Sequence, residues 1–139
     1  EIVDQVFGQD DLDRLIPLVD YLVDVLPLTP QTHHILGKKE LCLLKEGAFL
    51  FSMGRGKTID EKSLEKVLLN KKIQAVLDVF EKEPLPPRSK LWGLKNVIIT
   101  PHVSGISIPE EISEEFVKNY EAWVRGEALT NRVDRGKGY

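Results

Sequence analysis

Short apolar runs alternate with amphipathic stretches along most of this chain. Four mostly apolar runs, each bounded by proline, glycine or polar residues, predict strands at residues 21–26, 48–52, 73–79 and 96–100, the first two of them buried. Apolar residues at helical spacing predict helices at residues 10–18, 38–45, 60–69 and 109–125. Because strands and helices alternate, the pattern favours an α/β fold built from parallel crossover units rather than a sandwich or a bundle.

The boundaries of these helices follow from residues with specific terminal roles. Asp60 precedes an apolar pattern and is predicted to cap the third helix. Gly47 and Gly126 are predicted to end the second and fourth helices. In the last helix the spacing predicts one shared face, formed by Ile112, Phe116, Tyr120 and Trp123.

Composition and charge narrow the class of protein. The 139 residues suit one domain, and 42% hydrophobic with 29% charged residues is ordinary for a globular chain. A formal net charge of -3 without a basic block gives no reason to expect a nucleic-acid partner, and no apolar run predicts a membrane span. The single cysteine, Cys42, is interpreted as a reduced core residue of a cytoplasmic protein. We expect neither a metal site nor a leader peptide, and the missing initial methionine allows for processing or truncation.

An arginine and a histidine follow two of the predicted strands. Arg55 lies between two glycines, and its planar guanidinium matches a carboxylate through two parallel hydrogen bonds. His102 follows Pro101, and a carboxylate bonded to its ring would fix the tautomer, so that the ring could give a proton to a ketone and take it back. Glu81 and Glu83 are both candidates for that carboxylate from spacing alone. Taken singly, an arginine in such a turn and a lone histidine are each more often structural than catalytic, so Arg55 and His102 by themselves indicate no function.

Two further motifs lie at the predicted strand ends. Asp78 interrupts an apolar strand, so it either caps a loop or accepts a hydrogen bond from a ligand amide. Gly56-Lys57-Thr58 is similar to the end of a phosphate-binding loop, but that motif requires glycine where Phe51 stands. We therefore reject a nucleoside triphosphatase. His33 and His34 are interpreted as surface or capping residues.

The order and spacing of these strings resemble the D-isomer-specific 2-hydroxyacid dehydrogenases across nearly the whole chain. The matching strings are residues 26–32, the Arg55 turn through Glu61, residues 77–86, and Thr100-Pro101-His102. Leu91-Trp92 and the ending 131–139 are most similar to the glyoxylate/hydroxypyruvate reductase branch. The resemblance implies a Rossmann-like three-layer parallel sheet. Residues 1–105 would form the C-terminal portion of an NAD(P)-binding domain, and residues 106–139 a helix and tail that return to a substrate domain.

The resemblance also implies roles for individual residues. Arg55 would bind the substrate carboxylate, His102 would be the acid/base, and Glu83 rather than Glu81 would pair with it. Asp78 would face the nicotinamide amide of NAD or NADP. The cofactor would also contact Arg55 and His102 and be lined by Leu26, Met53, Gly54, Ser104 and Gly105. The resemblance further implies that the substrate is a small 2-keto or 2-hydroxy acid and that the full-length protein is a homodimer.

One departure from the family pattern limits this hypothesis. The ten glycines of the chain do not form the Gly-x-Gly-x-x-Gly turn that holds cofactor phosphates, and the resemblance puts that turn before Glu1. We therefore expect a fragment of an oxidoreductase, with little activity by itself. The alternative is a non-catalytic half-domain with a structural or assembly role.

Overall fold

Four parallel strands form the central sheet of the computed structural model, which describes residues 3–137. The strands are β1 (Tyr21–Asp24), β2 (Phe49–Ser52), β3 (Gln74–Leu77) and β4 (Val97–Ile99). They lie side by side in chain order, and Leu50 is in register with Leu22 on one side and with Ala75 on the other. The predicted parallel α/β, Rossmann-like fold is confirmed. Each strand is one to three residues shorter than its apolar run, because residues at one or both ends of the run lie outside the strand pairing.

Four α-helices accompany the sheet. They are α1 (Leu12–Leu15), α2 (Lys38–Leu43), α3 (Glu61–Asn70) and α4 (Pro109–Val124). Short 3-10 helices flank α1 at Gln9–Asp11 and Ile16–Leu18, and two more occur at Gly56–Thr58 and Lys90–Gly93. None of the helices in residues 3–137 is long and apolar enough to cross a membrane.

The core lies between one face of the sheet and the α2–α3 pair. Leu41 of α2 and Leu64 of α3 are buried with Leu50 and Leu77 of the sheet. The cap of α3 forms as predicted, since the Asp60 carboxylate accepts the Ser63 N–H at 3.2 Å. Helix α2 ends at Leu43, before Gly47, so Gly47 serves the following turn (φ +83) rather than the helix end.

The opposite face of the sheet is only partly covered. Because side chains alternate along a strand, Tyr21 and Val23 of β1 share this face with Phe49 and Phe51 of β2. Tyr21 is 65% exposed and Val23 is 50% exposed, so the prediction that the first strand is buried is wrong for these residues. The physical reason is position: β1 is an edge strand, and no described helix packs on this side of it.

One other burial prediction is also wrong. Cys42 is exposed on the solvent side of α2, because the core contacts of that helix are made by Leu41 and Leu44.

Helix α4 lies outside the core and carries an unpartnered apolar face. The predicted alignment holds for its aromatic residues, with Phe116 and Tyr120 stacked at 6.4 Å between ring centroids. No residue of α4 is buried. Gly126, at φ +71, follows the helix end as predicted. The tail then folds back, as the Thr130 N–H donates to the Asn119 side chain at 2.9 Å.

A close backbone contact joins the Gly56 turn to the loop after β3. A Cβ atom at Gly56 would lie 2.0 Å from the Phe80 carbonyl carbon and oxygen, which is far inside van der Waals contact. Only glycine permits this approach without displacing one of the two loops.

We predict that Gly56→Ala lowers the free energy of unfolding by about 3 kcal/mol, because the added methyl group meets backbone that cannot move aside freely. Urea denaturation of the protein would measure it. Gly93→Ala is the matched control: its Cβ position has no neighbour within 4 Å, and we expect a change within about 0.5 kcal/mol. Equal stability of the two variants would contradict the prediction.

Candidate active site

All the predicted site residues lie at the carboxyl end of the sheet. Leu26 follows β1, Met53 to Arg55 follow β2, and the loop from Asp78 to Glu83 follows β3. The loop from Thr100 to Gly105 follows β4. Because the four strands are parallel, their carboxyl ends meet at one edge, which is where open α/β sheets bind ligands.

The Arg55 turn packs tightly on its neighbours. A Cβ atom at Gly54 would lie 2.6 Å from the Leu26 carbonyl oxygen, so the ends of β1 and β2 touch through backbone. The Arg55 guanidinium donates to the Gly54 carbonyl at 2.9 Å, and the rest of the exposed side chain projects from the turn. Arg55 thus has a fixed base and donors that remain available to a ligand.

His102 and Glu83 form a hydrogen-bonded pair. The His102 Nδ1 and the Glu83 Oε2 are 2.8 Å apart. The His102 hydrogen bond and the Phe80 N–H, which donates to Glu83 at 3.0 Å, lower the pKa of the Glu83 carboxyl. Glu83 is therefore a carboxylate near neutral pH, which can only accept, so Nδ1 carries the hydrogen and Nε2 is left for a ligand.

Glu81 has a different partner. Its Oε1 lies 2.9 Å from Nε2 of His34, and the same oxygen accepts the Glu61 N–H at 3.1 Å. Of the two carboxylates that spacing left open, the structure thus pairs Glu83 with His102 and Glu81 with His34. His34 was interpreted as a surface or capping residue; it is partly exposed but joins its loop to the loop after β3.

Asp78 holds the loop that carries His102. It is 1% exposed; Val103 and Ser104 donate their N–H groups to its two oxygens, both at 2.9 Å, and Thr100 donates its hydroxyl. Burial alone would raise the pKa of Asp78, but these hydrogen bonds outweigh burial and lower the pKa well below its usual range. Asp78 caps a loop; a contact with a nicotinamide amide stays a prediction.

The backbone at His102 adopts an uncommon conformation. Its φ is +56°, in the left-handed region that few residues other than glycine adopt. The Asp78 carbonyl accepts the His102 N–H at 2.9 Å and so keeps this conformation in place. Strained backbone of this kind is frequent where a side chain must be aimed at a ligand.

Two cavities meet at His102. A cavity of about 410 Å³ is lined by Val25, Met53, Arg55, His102, Ser104 and Gly105. Five of these six residues were predicted from the sequence as site residues. A second, mostly apolar cavity of about 470 Å³ lies on the side of Glu83 and is lined in part by Phe80, Leu85 and Trp92.

The chemistry of the first cavity follows from these groups. Arg55 offers donors for an anion, and Nε2 of His102 offers a site for proton transfer, backed by a carboxylate. Among residues 3–137 there is no group of three or more His, Cys, Asp or Glu side chains that could hold a metal ion.

Sequence reasoning missed Asp24 and Thr58, which are both buried behind this site. Asp24 Oδ2 accepts the Thr58 hydroxyl at 2.5 Å, and Asp24 Oδ1 accepts the Leu26 N–H at 3.1 Å. The sequence did contain a signal for Asp24, since this acidic residue interrupts an apolar run in the same way as Asp78 does.

Comparison with protein families gives a specific match. The family model described as D-isomer specific 2-hydroxyacid dehydrogenase, NAD binding domain, matches residues 1–104. A D-isomer specific 2-hydroxyacid dehydrogenase from Xanthobacter autotrophicus Py2, solved with NADPH and MES, is 38% identical with a TM-score of 0.90. The alignment covers 95% of this chain and 55% of that one.

Other solved structures are similar in the same way. A protein of that family from Aeromonas salmonicida is 43% identical with a TM-score of 0.88, over 94% of this chain and 43% of its own. An NADPH-dependent glyoxylate/hydroxypyruvate reductase from Sinorhizobium meliloti, solved with NADP and sulfate, is 29% identical with a TM-score of 0.90. That alignment covers all of this chain and 46% of the reductase. The chain thus spans about half the length of these relatives.

We predict that Asp78→Asn destabilises the protein by about 3 kcal/mol at pH 7, because an amide NH₂ would face groups that themselves donate. The folded-state pKa of Asp78 is lowered, so its contribution is complete above the unfolded pKa of about 3.9 and is lost as pH falls towards the folded value. Urea denaturation from pH 7 to pH 2 should therefore show that the difference in free energy of unfolding between wild type and variant shrinks below about pH 4. Asp10→Asn, at an exposed position, is the control. A loss of stability in Asp78→Asn that does not vary with pH would contradict the role of the ionised Asp78 carboxylate as hydrogen-bond acceptor.

Proposed function

Because this chain belongs to the D-isomer specific 2-hydroxyacid dehydrogenase family, we propose that it supplies the catalytic groups of an NAD(P)-dependent oxidoreductase. The reaction moves a hydride between the nicotinamide and C2 of a small 2-keto or 2-hydroxy acid. One observation carries the proposal: Arg55 and His102 line a single cavity, and Glu83 lies 2.8 Å from the ring of His102.

Arg55 binds the carboxylate of the acid in this proposal. A guanidinium can meet both carboxylate oxygens at once, which orients the molecule as well as neutralising it. The turn that carries Arg55 is held by the contact of Gly54 with Leu26 and by that of Gly56 with Phe80. Positioning of this kind lowers the barrier, since the reacting carbon must be held in line with the hydride.

His102 gives a proton to the substrate oxygen during reduction and takes it back during oxidation. Glu83 orients the ring by accepting from Nδ1, so the exchanged proton sits on Nε2. Glu83 also stabilises the imidazolium that forms when the hydroxy acid is oxidised. The loop held by Asp78 keeps the ring facing the cavity that it shares with Arg55.

The residues around the cavity suit a nicotinamide cofactor, which supplies the hydride. Met53, Ser104 and Gly105 line the same cavity as Arg55 and His102. The Leu26 backbone packs on Gly54, although Leu26 lines a neighbouring cavity rather than this one. Nothing lies within 4 Å of the Cβ position of Gly105, so this stretch of backbone is open to a flat ring. These residues and Asp78 would hold the nicotinamide end of NAD or NADP.

The substrate class rests on similarity. The Sinorhizobium meliloti reductase is described as acting on glyoxylate and hydroxypyruvate, and it aligns with all of this chain at 29% identity. We accordingly propose glyoxylate or hydroxypyruvate as the 2-keto acid.

The rest of the relatives' length would complete the site. We propose that residues 1–105 form the C-terminal portion of the cofactor domain and that α4 and the tail return to a substrate domain. The exposed aromatic face of α4 supports this proposal, because an apolar face of this kind is typical of a packing surface. A homodimer and a cytoplasmic location stay predictions.

We predict that Arg55→Ala lowers kcat/KM for glyoxylate about a thousandfold, because two charge-assisted hydrogen bonds are lost. The assay follows NADH or NADPH oxidation by the complete natural polypeptide that contains these residues. Arg14→Ala, which removes a surface arginine paired with Asp11, is the control. Retained activity of Arg55→Ala would defeat the assigned role of Arg55.

A binding measurement separates the proposal from a non-catalytic half-domain, the alternative favoured by the lack of a glycine-rich phosphate turn. We expect the 139-residue chain alone to show no saturation with NADH or NADPH below about 1 mM, and the complete polypeptide to saturate below that concentration. Isothermal titration calorimetry of both would measure it. Tight binding by the chain alone would contradict the alternative, whereas no binding by the complete polypeptide would contradict the proposal.

A further inference from the structure

Asp24 is a buried carboxylate that the proposed chemistry does not use. It lies at the end of β1, is 3% exposed, and takes part in none of the ion pairs found within residues 3–137. Removing a carboxylate from water is costly unless its oxygens are hydrogen-bonded. An apolar residue at this strand end would avoid that cost, so the partners of Asp24 indicate what it contributes.

One partner is Thr58, which is fully buried in the turn after Arg55. Its hydroxyl oxygen lies 2.5 Å from Asp24 Oδ2 and 2.7 Å from the Arg55 carbonyl oxygen. A hydroxyl has one hydrogen to donate. The Arg55 carbonyl already accepts the Thr58 N–H at 2.9 Å, so we assign the hydroxyl hydrogen to Asp24. Thr58 thereby ties the backbone of Arg55 to the carboxylate.

The other partner lies on the far side of the same carboxylate. Asp24 Oδ1 accepts the Leu26 N–H at 3.1 Å, and the Leu26 backbone is in turn the surface on which Gly54 packs. One buried side chain therefore connects the loop after β1, proposed to line the cofactor, with the turn that carries Arg55.

From this arrangement we infer that Asp24 and Thr58 are positioning residues for Arg55, which set the place of its guanidinium relative to the substrate carboxylate. The inference rests on the proposed function of Arg55. Neither residue touches the cavity, and both act through the backbone. A displacement of about 1 Å in a substrate-binding group is enough to cost about a hundredfold in rate, so a rigid base for Arg55 has a measurable effect.

The two residues should differ in what they control. The Thr58 hydroxyl bonds Asp24 and lies against the Arg55 carbonyl, without a direct bond to the Leu26 loop, so losing it should affect the binding of the keto acid more than that of the cofactor. Asp24 is bonded to Thr58 in the Arg55 turn and to Leu26 in the loop after β1, so its removal should affect the binding of both the keto acid and the cofactor.

The test uses steady-state kinetics of the complete natural polypeptide with glyoxylate. Thr58→Val replaces the hydroxyl by a methyl group of similar size, and we expect KM for glyoxylate to rise about 10- to 100-fold while KM for the cofactor stays within about threefold. Thr58→Ser restores the hydroxyl and should return KM for glyoxylate to within about threefold of wild type. Thr130→Val is the matched control, since Thr130 bonds Glu115 and Asn119 beside α4.

Each outcome decides the inference. Unchanged KM for glyoxylate in Thr58→Val, or an equal rise in Thr58→Ser, would overturn it. Should Thr58→Val not fold, Asp24→Ala replaces it: raised KM for both glyoxylate and cofactor supports the inference, and wild-type values overturn it. Arg55→Lys is measured in parallel. If it leaves KM for glyoxylate unchanged, the proposed function of Arg55 has failed; if it raises KM while Thr58→Val does not, only the positioning role has failed.

Discussion

The site depends on the buried Asp78 carboxylate at the end of β3. Its oxygens accept from Thr100, Val103 and Ser104, and its carbonyl accepts from His102. These bonds hold the loop after β4 against the loop after β3, with His102 in a left-handed conformation. Without an ionised acceptor at this point, several N–H and O–H groups would lose their partner together. The same carboxylate therefore joins the strand end, the loop and the orientation of the imidazole.

Close backbone contacts hold the Arg55 turn, as the bonds of Asp78 hold the loop of His102. Gly54 lies on the backbone of Leu26, and Gly56 lies on that of Phe80, so the Arg55 turn is held between the loops after β1 and β3. Neither contact leaves room for a side chain. Arg55 and His102 thus reach one cavity from two different strand ends, and close backbone contacts fix the turn that carries Arg55.

Two glutamates of the loop after β3 each pair with a histidine from a different loop, and the two pairs have different surroundings. Glu83 accepts from His102 at the cavity, and its carboxyl has a lowered pKa. Glu81 pairs with His34 behind the loop and also accepts the N–H of Glu61, whose own carboxyl has a pKa raised by burial. The first pair faces a ligand cavity, and the second joins loops to each other. Two glutamates that are two residues apart in the chain thus have different structural roles.

Much of the architecture is determined by the sequence itself. Alternating apolar and amphipathic runs specify the parallel α/β order, the Asp60 cap begins α3, and Gly126 follows the end of α4. The ordered strings around Arg55, Asp78, Glu83 and His102 are local enough to indicate a family and its site. Only the tertiary structure decides which side chains meet. It pairs Glu83 with His102, brings Asp24 to Thr58 across 34 residues of chain, and leaves β1 and α4 with exposed faces. Periodicity reports which way a side chain points, whereas burial and pairing depend on distant segments that arrive at the same place.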